Sequence, residues 1–272
     1  MFTYNNKILL FNNRVINTVF DLDAQVYITA ANIVNATEQN AVNQFVLDLK
    51  AFSLWSKIYY IHPYLGSTSS SCSYNLINPA TFQVTWFGTV TFSSLGIKGN
   101  GVNGYGNTGF NPATSLTLNN SCMFTYSADS ASYGALVDYG CGDGTVASRF
   151  YHYTRTTNNR ALSAQYNTTT GAIITANNSV LDGKGFFVFN RRSSTIHRVL
   201  RNNVAVGGNA TSGGTLPNFN AYICSFNNGG ANSGFSARQF ALNGVSQGLT
   251  ATEETNLNTA VQTFITTLGR NV

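Results

Sequence analysis

The chain has 272 residues, of which 43% are hydrophobic, 13% aromatic and only 9% charged, and its formal net charge is +5. The hydrophobic share excludes intrinsic disorder, and a β-sandwich of this length is often a single domain. The basic residues are dispersed, with one loose group at Arg191, Arg192, Arg198 and Arg201, which argues against a nucleic-acid binder. Polarity comes mainly from Asn, Thr, Ser and Gly, as in proteins that pack in assemblies or hydrogen-bond neutral sugars.

The four cysteines, Cys72, Cys122, Cys141 and Cys224, lack the CxxC spacing of a zinc ribbon. Their even number permits two disulfides, whereas four separate buried thiols are the simpler interpretation. The first residues lack the pattern of a signal peptide, and no run reaches the roughly 18 apolar residues of a membrane span. We therefore expect no membrane insertion, synthesis in a cytoplasm, and a protein that stays soluble or leaves within a particle.

Residues 1–20 are predicted to form an N-terminal arm or hairpin. Two short runs of β-forming residues, 7–11 and 14–16, flank Asn12 and Asn13, a dipeptide that favours a tight turn. This pattern fits a small hairpin that docks elsewhere, and it fits equally well a strand at the edge of the main sheet.

Residues 21–63 are predicted to form a helical segment. A short helix is expected from Asp23 to Ala30, with Asp21 or Asp23 as its N-cap. A second, of some twenty residues, is expected from Thr37 to about Tyr60, before Pro63. The apolar residues on its buried face recur with helical period: Val42, Phe45, Val46, Leu49, Phe52 and Trp55. Such a helix covers a sheet or packs on its copies in an oligomer.

Residues 64–272 are predicted to form a β-domain with a C-terminal helix. Short runs of β-forming residues without intervening helices indicate a sandwich or barrel rather than a parallel sheet. Asn202 and Asn203 between two of the runs are a hairpin turn signal. The predicted strands are residues 83–87, 116–118, 123–126, 134–139, 149–153, 185–190, 197–201, 221–226 and 235–242.

The last helix has the clearest signature in the chain. Thr250 and Glu253 form a capping box, in which each side chain accepts from the other's backbone N–H, and Gly269 is placed to end the helix. Its predicted buried face consists of Leu257, Ala260, Val261, Phe264, Ile265 and Leu268.

Several short motifs occur in an order that resembles one known family. They are the segment 55–66, the segment 74–79, the Gly-rich run 99–105, the segment 111–116, Arg192-Ser193-Ser194 with the turn 200–203, and the helix start 248–254. Together they resemble the laminin-G/concanavalin A-like modules of bacteriophage virion structural proteins. The resemblance covers residues 23–272, and its specificity lies in the shared order. Asn203 stands where such hairpins usually carry Gly, a small departure because Asn tolerates positive φ.

The resemblance implies a mostly β fold: an antiparallel jelly-roll (concanavalin A-like) sandwich with an N-terminal helical segment and a C-terminal amphipathic helix. It implies a non-enzymatic virion protein, a tail fibre or other appendage or decoration subunit. Such a subunit forms homo-oligomers, assembles with other virion proteins and binds a host surface glycan. The alternative interpretation is a carbohydrate-binding receptor module, and a polysaccharide-degrading enzyme is less favoured.

The acidic residues provide no clear pair for glycoside hydrolysis, which needs two carboxylates at the scissile bond. No Glu occurs between Glu38 and Glu253, so Asp138 and Asp143 are the one pair to consider. Asp143 lies in a Gly-Asp-Gly turn. We therefore predict no catalytic residues and no enzymatic activity.

The histidines and the Gly-rich run indicate structural roles. His62, His152 and His197 lack the spacing of metal ligands, and His62 is expected at a helix end. Gly99, Gly101 and Gly104 match a dinucleotide fingerprint in letters, but no helix or acidic residue follows at the required spacing. We expect these glycines to lie in a loop, and no cofactor is predicted.

Calcium is the one ion that the sequence leaves open. Laminin-G modules sometimes hold calcium at the rim of the sandwich, and the available oxygen donors are Asp129, Asp138, Asp143 and Asp182. The alternative is that these acids form turns.

A sugar site needs exposed aromatic rings and amides. Aromatic residues near Asn-rich loops are the candidates, although most aromatic residues in this chain are expected in the core or at interfaces. These candidates are Tyr105, Tyr151, Tyr153, Tyr166 and Phe219.

Overall fold

A computed structural model describes residues 8–11, 14–17, 20–131, 136–166, 174–175, 180–208 and 212–272. The helices in these ranges are α1 (Leu22–Ala30), α2 (Ala36–Ala51), α3 (Pro112–Ser115) and α4 (Ala251–Thr267), with 3-10 turns at Trp55–Lys57 and Ser71–Ser73. The strands are β1 (Ile8–Phe11), β2 (Arg14–Asn17), β3 (Ile58–His62), β4 (Thr85–Phe87), β5 (Val90–Ser93), β6 (Gly96–Gly99), β7 (Tyr105–Asn107), β8 (Ser121–Ser127), β9 (Tyr139–Gly142), β10 (Arg149–Tyr153), β11 (Leu162–Gln165), β12 (Ile174–Thr175), β13 (Gly185–Ser193), β14 (Ile196–Arg201), β15 (Val204–Gly208), β16 (Tyr222–Ile223), β17 (Phe226–Asn228), β18 (Ala231–Ser233) and β19 (Gln239–Ser246).

Two large sheets form the sandwich in the described part of the chain. The eight-stranded sheet has the order β15-β14-β13-β8-β19-β6-β5, with β3 paired to β19. The nine-stranded sheet has the order β12-β11-β10-β9-β16-β7-β4, with β17 and β18 attached at β9. The pairs are antiparallel except that of β17 with β9. The prediction of a mostly β, antiparallel jelly-roll sandwich is therefore confirmed.

Successive side chains of β13 pack alternately into two different hydrophobic cores. Phe187 and Phe189 point between the sheets, whereas Phe186 and Val188 point to the other side of the eight-stranded sheet. All four are buried, because successive side chains of a strand face opposite ways and this strand is covered on both sides. A continuous apolar run in the sequence is the result.

A helical layer of α1, α2 and α4 covers the far side of the eight-stranded sheet and shares one hydrophobic core with it. The rings of Phe45 in α2 and Phe264 in α4 stack with centroids 4.6 Å apart. The predicted buried faces of α2, from Val42 to Leu49, and of α4 are confirmed. Among the described helices, none combines the length and the hydropathy needed to cross a bilayer.

The starts of α1 and α4 follow the predicted N-caps, whereas α2 starts one residue earlier than predicted. Asp21 caps α1 by accepting from the Asp23 backbone N–H, and Thr250 and Glu253 form the capping box of α4. The N-cap of α2 is Asn35, whose side chain accepts from the backbone N–H of Thr37. The predicted start at Thr37 was thus one residue late, because Asn35 supplies the stronger cap.

The end of α2 was predicted wrongly. The helix stops at Ala51, and the residues that follow form a 3-10 turn and then β3, which pairs with β19. Residues 58–62 are Ile, Tyr, Tyr, Ile and His, which favour a strand when an edge is available for pairing. His62 therefore lies in a strand, not at a helix end.

Several strand bounds also differ from the prediction. Residues 116–118 form no strand, only a bridge between Thr117 and Asn120. The run 221–226 is interrupted by Cys224, whose φ of +60° reverses the chain between β16 and β17. The last strand is shifted to begin at Gln239. The predicted strand 134–139 begins outside the described residues, and the observed strand β9 starts at Tyr139.

The N-terminal strands form a hairpin, as one of the two interpretations held. β1 pairs antiparallel with β2, and neither joins another described strand. The turn at Asn12 and Asn13 lies outside the described residues. The predicted division into residues 1–20, 21–63 and 64–272 stays a prediction; β3, from the second segment, is paired with the sandwich strand β19.

Candidate functional site

The nine-stranded sheet has one side turned away from the rest of the molecule, here called the outer face. Strand β10 shows the alternation: Phe150 packs in the core between the sheets, whereas Tyr151 and Tyr153 belong to a separate apolar cluster on the opposite side. Arg149 lies on the same side as these tyrosines because it is two residues from Tyr151. The outer face is not covered by any described helix.

Four aromatic rings on the outer face form a group that we call the aromatic platform: Phe87, Tyr105, Tyr222 and Phe235. The rings of Phe87 and Tyr105 stack, with centroids 4.9 Å apart and planes 12° apart. Tyr105 also lies 4.9 Å from Tyr222 and 6.2 Å from Phe235, centroid to centroid. Phe87 is 43% exposed and the other three are partly exposed. Partly exposed aromatic rings that cluster at a protein surface are typical of binding sites.

A second group, the arginine–tyrosine cluster, lies beside the platform and consists of Arg149, Tyr151, Tyr153 and Phe226. Tyr151 meets Tyr153 and Phe226 edge to face, with centroids 5.3 and 5.4 Å apart. Burial raises the pKa of Tyr151, and the nearby Arg149 guanidinium opposes that rise. Burial likewise raises the pKa of Tyr153, again opposed by Arg149. Both phenols are therefore neutral hydrogen-bonding groups next to a cation.

Strand pairing sets the distance between the two groups. Tyr222 is opposite Gly140 in β9, and Gly140 is opposite Tyr151 in β10. Two strand spacings separate the tyrosines, or about 10 Å. Gly140 is required here, because its φ is +151° and a Cβ would lie 2.3 Å from the Tyr151 Cβ. Strand β9 thus adds no side chain at Gly140, and the Phe226 ring from β17 packs there against Tyr151.

Asparagine amides surround the aromatic platform. Asn107 is opposite Tyr222 in the sheet, and its Oδ1 accepts from the Gly109 N–H at 3.0 Å. Its Nδ2 makes no hydrogen bond within the described residues. Asn100 Nδ2 donates to Asn103 Oδ1 at 2.7 Å in the loop that precedes β7. These amides supply donors and acceptors at the edge of an apolar surface.

The five aromatic candidates from the sequence fall in different places. Tyr105 lies in the aromatic platform, and Tyr151 and Tyr153 lie in the arginine–tyrosine cluster. Tyr166 is fully buried between the sheets, and Phe219 packs partly buried against the same core. Tyr166 therefore does not belong to a surface site, because it lies inside the described fold.

Sequence reasoning missed Phe87, Tyr222 and Arg149, and also Phe226 and Phe235. The first three lie on the outer face through the alternation of their strands, which is a signal present in the sequence. The strands that carry Phe87 and Tyr222 are only three and two residues long. Such short strands are hard to assign to a sheet, so their rings could not be brought together without the structure.

Asp138 anchors a buried polar network and is not a free carboxylate. Arg238 Nε lies 3.2 Å from its oxygens, and both side chains are almost completely buried. Asp138 also accepts from Thr154 N–H at 2.7 Å, from Thr154 Oγ1 at 2.8 Å and from Ser236 Oγ at 2.8 Å. Asp138 is therefore buried, and its oxygens are engaged by partners within the protein.

The other three aspartates support local turns. Asp143 Oδ1 accepts from Thr145 N–H at 2.9 Å, and Asp129 Oδ1 accepts from Ala131 N–H at 2.8 Å. Asp182 Oδ1 accepts from Lys184 N–H at 3.1 Å. Across the described residues, no three His, Cys, Asp or Glu side chains gather as metal ligands would.

Asp138 and Asp143 do not form a pair of carboxylates. They flank the four-residue strand β9, one at each end. Five residues of extended chain separate them by about 16 Å. Glycoside hydrolysis uses carboxylates about 5 to 9.5 Å apart.

The three histidines are buried. Burial lowers the pKa of His62 and of His152 to about 4. His62 Nε2 is 2.9 Å from the carbonyl oxygen of Phe82, and His197 Nδ1 accepts from Arg191 Nη2 at 2.9 Å. Each imidazole is neutral and is held in place either by a hydrogen bond or, for His152, by packing against aromatic rings.

The four cysteines are free thiols in the structure, and all are buried. Burial raises the pKa of Cys72 and of Cys224 to about 12. Thiols with such values are protonated and unreactive at neutral pH, which suits structural packing.

No protein-family model and no curated protein matches the chain. Among solved structures it is similar to domain 4 of AbnA, a GH43 extracellular arabinanase from Geobacillus stearothermophilus, solved in complex with arabinotriose. The identity is 10% and the TM-score 0.50, over 74% of this chain and 98% of that domain.

Sialidase structures also match. The CBM40 of the Ruminococcus gnavus IT-sialidase, bound to α2,6-sialyllactose, has 12% identity and a TM-score of 0.43, over 56% of this chain and 93% of that one. The NanB sialidase of Streptococcus pneumoniae has 9% identity and a TM-score of 0.42 over 54% of this chain. This chain spans about a quarter of the NanB length. The likeness to the arabinanase domain, together with the two sheets, shows that the chain is a jelly-roll β-sandwich.

Proposed function

We propose that this chain is a non-enzymatic carbohydrate-binding module that holds an oligosaccharide on its outer face. The observation that carries the proposal is the aromatic platform. Its Phe87, Tyr105 and Tyr222 rings follow one another at 4.9 Å across three neighbouring strands. Sugar rings present C–H faces that pack on aromatic rings, while their hydroxyls need amides and phenols at the edge.

The dimensions of the face favour an oligosaccharide over a single sugar. Tyr222 and Tyr151 are two strand spacings apart, or about 10 Å, and Phe226 of the arginine–tyrosine cluster lies on β17, which pairs with the intervening strand β9. One sugar ring on Tyr222 and another beside Tyr153 and Arg149, which are partly exposed, would use both groups. Tyr151 itself is buried, with 4% of its surface exposed, and supports Tyr153 from within the cluster. The fold is shared with a domain solved with arabinotriose, which accords with this proposal at the level of fold.

Arg149 places a cation beside the two tyrosines of the arginine–tyrosine cluster. All ten acidic residues of the chain lie in the described part of the structure, and none forms an ion pair with Arg149. Its guanidinium offers charge-assisted hydrogen bonds to sugar hydroxyls or to a sugar carboxylate.

The absence of catalysis is part of the proposal. The carboxylate pair that the sequence left open is about 16 Å apart, and Asp138 is committed to Arg238. Calcium, the ion left open by the sequence, is not needed by the aromatic platform. Whether calcium takes part in binding is tested by repeating the binding experiment with a chelator.

The experiment is binding of the purified chain to an array of neutral and acidic glycans, with and without a calcium chelator. We expect saturable binding to one class of glycan that survives the chelator. A folded chain that binds no glycan would contradict the proposal. Loss of binding when calcium is chelated would instead indicate that a calcium ion, bound by some of the four aspartates considered above, takes part in binding.

The virion role implied by the family resemblance stays a prediction. The observation in its favour is the hairpin of β1 and β2, which pairs with no other described strand. An isolated two-stranded hairpin is marginally stable alone, so a partner subunit or virion protein would complete it. We expect homo-oligomers in light scattering that are lost when residues 1–20 are removed. A monomeric intact chain would contradict self-assembly through the arm.

A further inference from the structure

A cavity of about 370 Å³ opens where α4 ends, on the helix side of the eight-stranded sheet. Its lining residues come from β6, the start of β19, the residue before β13 and the segment that follows α4. Ile97 and Phe240, the neighbours of Lys98 and Gln239, point between the sheets, so Lys98 and Gln239 point to the other side. The cavity thus lies away from the aromatic platform and has the volume of a small-molecule site.

The side chains in the wall of this cavity carry more positive than negative charge: the cations are Lys98, Lys184 and Arg270, against the carboxylate of Asp129, and the C-terminal residue Val272 also lies in the wall. Lys98 and Lys184 both line it, and neither takes part in any ion pair found among the described residues. The other cation in the wall, Arg270, donates to the carbonyl oxygens of Pro63 and Tyr64 at 3.3 Å each and pairs with Glu38 at 3.6 Å. Asp129, also in the wall, uses Oδ1 for the Ala131 N–H at 2.8 Å.

The side chain of Gln239 is a second, independent indication that the cavity binds a ligand. It is opposite Lys98 in the pairing of β19 with β6, so the two side chains are neighbours on one face. Its Nε2 is buried and has no hydrogen-bond acceptor among the described residues. A buried amide donor without an acceptor is costly, and a bound oxyanion would supply one.

We propose that the cavity binds a small organic anion through its carboxylate or phosphate group. Lys98 and Lys184 provide the charge, and Gln239 Nε2 donates a hydrogen bond. Leu95 and Ala128 contact the uncharged body of the ligand. Two lysines that line the same concave site attract an anion more strongly than a single lysine on an open surface.

Calorimetry on the full chain with three probes tests the proposal: glucose 6-phosphate, glucuronate and uncharged glucose. We expect at least one charged probe to bind and glucose not to bind in the cavity. The preference between the two charged probes then identifies phosphate or carboxylate as the recognised group. Lys98→Gln and Lys184→Gln should each weaken binding about tenfold.

Two matched variants separate this site from others. Arg192→Gln removes an exposed cation outside the cavity and should leave the affinity for the charged probe unchanged. Tyr105→Ala removes the central ring of the aromatic platform, so binding of the charged probe that persists in this variant is assigned to the cavity. If neither charged probe binds at millimolar concentration, or if Lys98→Gln and Lys184→Gln bind as the unaltered chain does, the cavity is not an anion site.

Discussion

Asp138 and Arg238 form an ion pair in which both side chains are at most 2% exposed, with Arg238 Nε 3.2 Å from the carboxylate. Arg238 Nη1 reaches the carbonyl oxygens of Asp129 and Ala131 at 3.1 Å, and Nη2 reaches that of Arg155 at 3.0 Å. The pair therefore connects β9 and the segment before β19 with two loops at one end of the nine-stranded sheet. It holds in place the strand that carries Gly140.

Asp138→Asn is expected to lower the free energy of unfolding by about 3 to 5 kcal/mol, because it leaves Arg238 buried without its counter-charge. Urea unfolding followed by fluorescence measures the change. Asp143→Asn is the matched control, since Asp143 lies on an exposed turn, and it should change stability by about 0.5 kcal/mol or less. Equal effects of the two substitutions would contradict the assigned role of Asp138.

Acidification is expected to destabilise the protein through its buried histidines. The folded chain keeps His62 and His152 neutral down to a pKa of about 4, because burial disfavours the charged imidazoles. The unfolded chain protonates them below about pH 6.5. Stability that is present above pH 6.5 is thus lost as the pH falls toward 4, by roughly 2 kcal/mol for each histidine at pH 5.

Urea unfolding at pH 7.5, 6.0 and 5.0 measures this loss. Most carboxylates of the unfolded chain stay ionised at pH 5, so the histidines dominate that interval. Replacing His62 and His152 by Gln should reduce the slope of the profile, and the part that remains is assigned to the buried His197, whose pKa burial also lowers. A free energy of unfolding that does not change between pH 7.5 and 5.0 would show that the imidazoles are not buried in the neutral form.

We expect the packing of the helical layer on the eight-stranded sheet to contribute strongly to the stability of the protein. Phe45→Ala removes the ring that stacks on Phe264 at 4.6 Å, and should cost about 3 to 5 kcal/mol of stability through the cavity it leaves. Leu47→Ala is the control in the same helix, because Leu47 is 41% exposed, and its effect should be small. Thermal or urea unfolding compares the two. Similar effects would mean that α2 does not pack as described.

The C-terminal helix shows how much of the fold the sequence alone predicts. Its capping box and its apolar stripe from Leu257 to Ile265 lie within 17 consecutive residues, so local pattern suffices. One feature of α4 was not predicted: Glu254 is buried, where it accepts from Asn190 Nδ2 and pairs with Arg198 at 2.6 Å. That burial depends on partners more than fifty residues away, which no local pattern reveals.

The candidate site was predicted less well for a related reason. Tyr105, Tyr151 and Tyr153 were selected as aromatic residues near Asn-rich loops, and all three lie on the outer face. The rings that complete the aromatic platform, Phe87 and Tyr222, come from strands far apart in the chain. Pairing of β4 with β7 and of β7 with β16 brings them together. Strand order, rather than composition, determines the platform.

The measurement that tests the central claim most directly is the affinity of Tyr105→Ala for the glycan that the intact chain binds best. Tyr105 is the ring that contacts Phe87, Tyr222 and Phe235, so its loss should weaken binding by at least tenfold without a large change in melting temperature. Tyr74→Ala, which removes a ring packed against the helical-layer core, serves as the control and should bind normally. An unchanged affinity in folded Tyr105→Ala would contradict the claim that sugar rings bind on the aromatic platform.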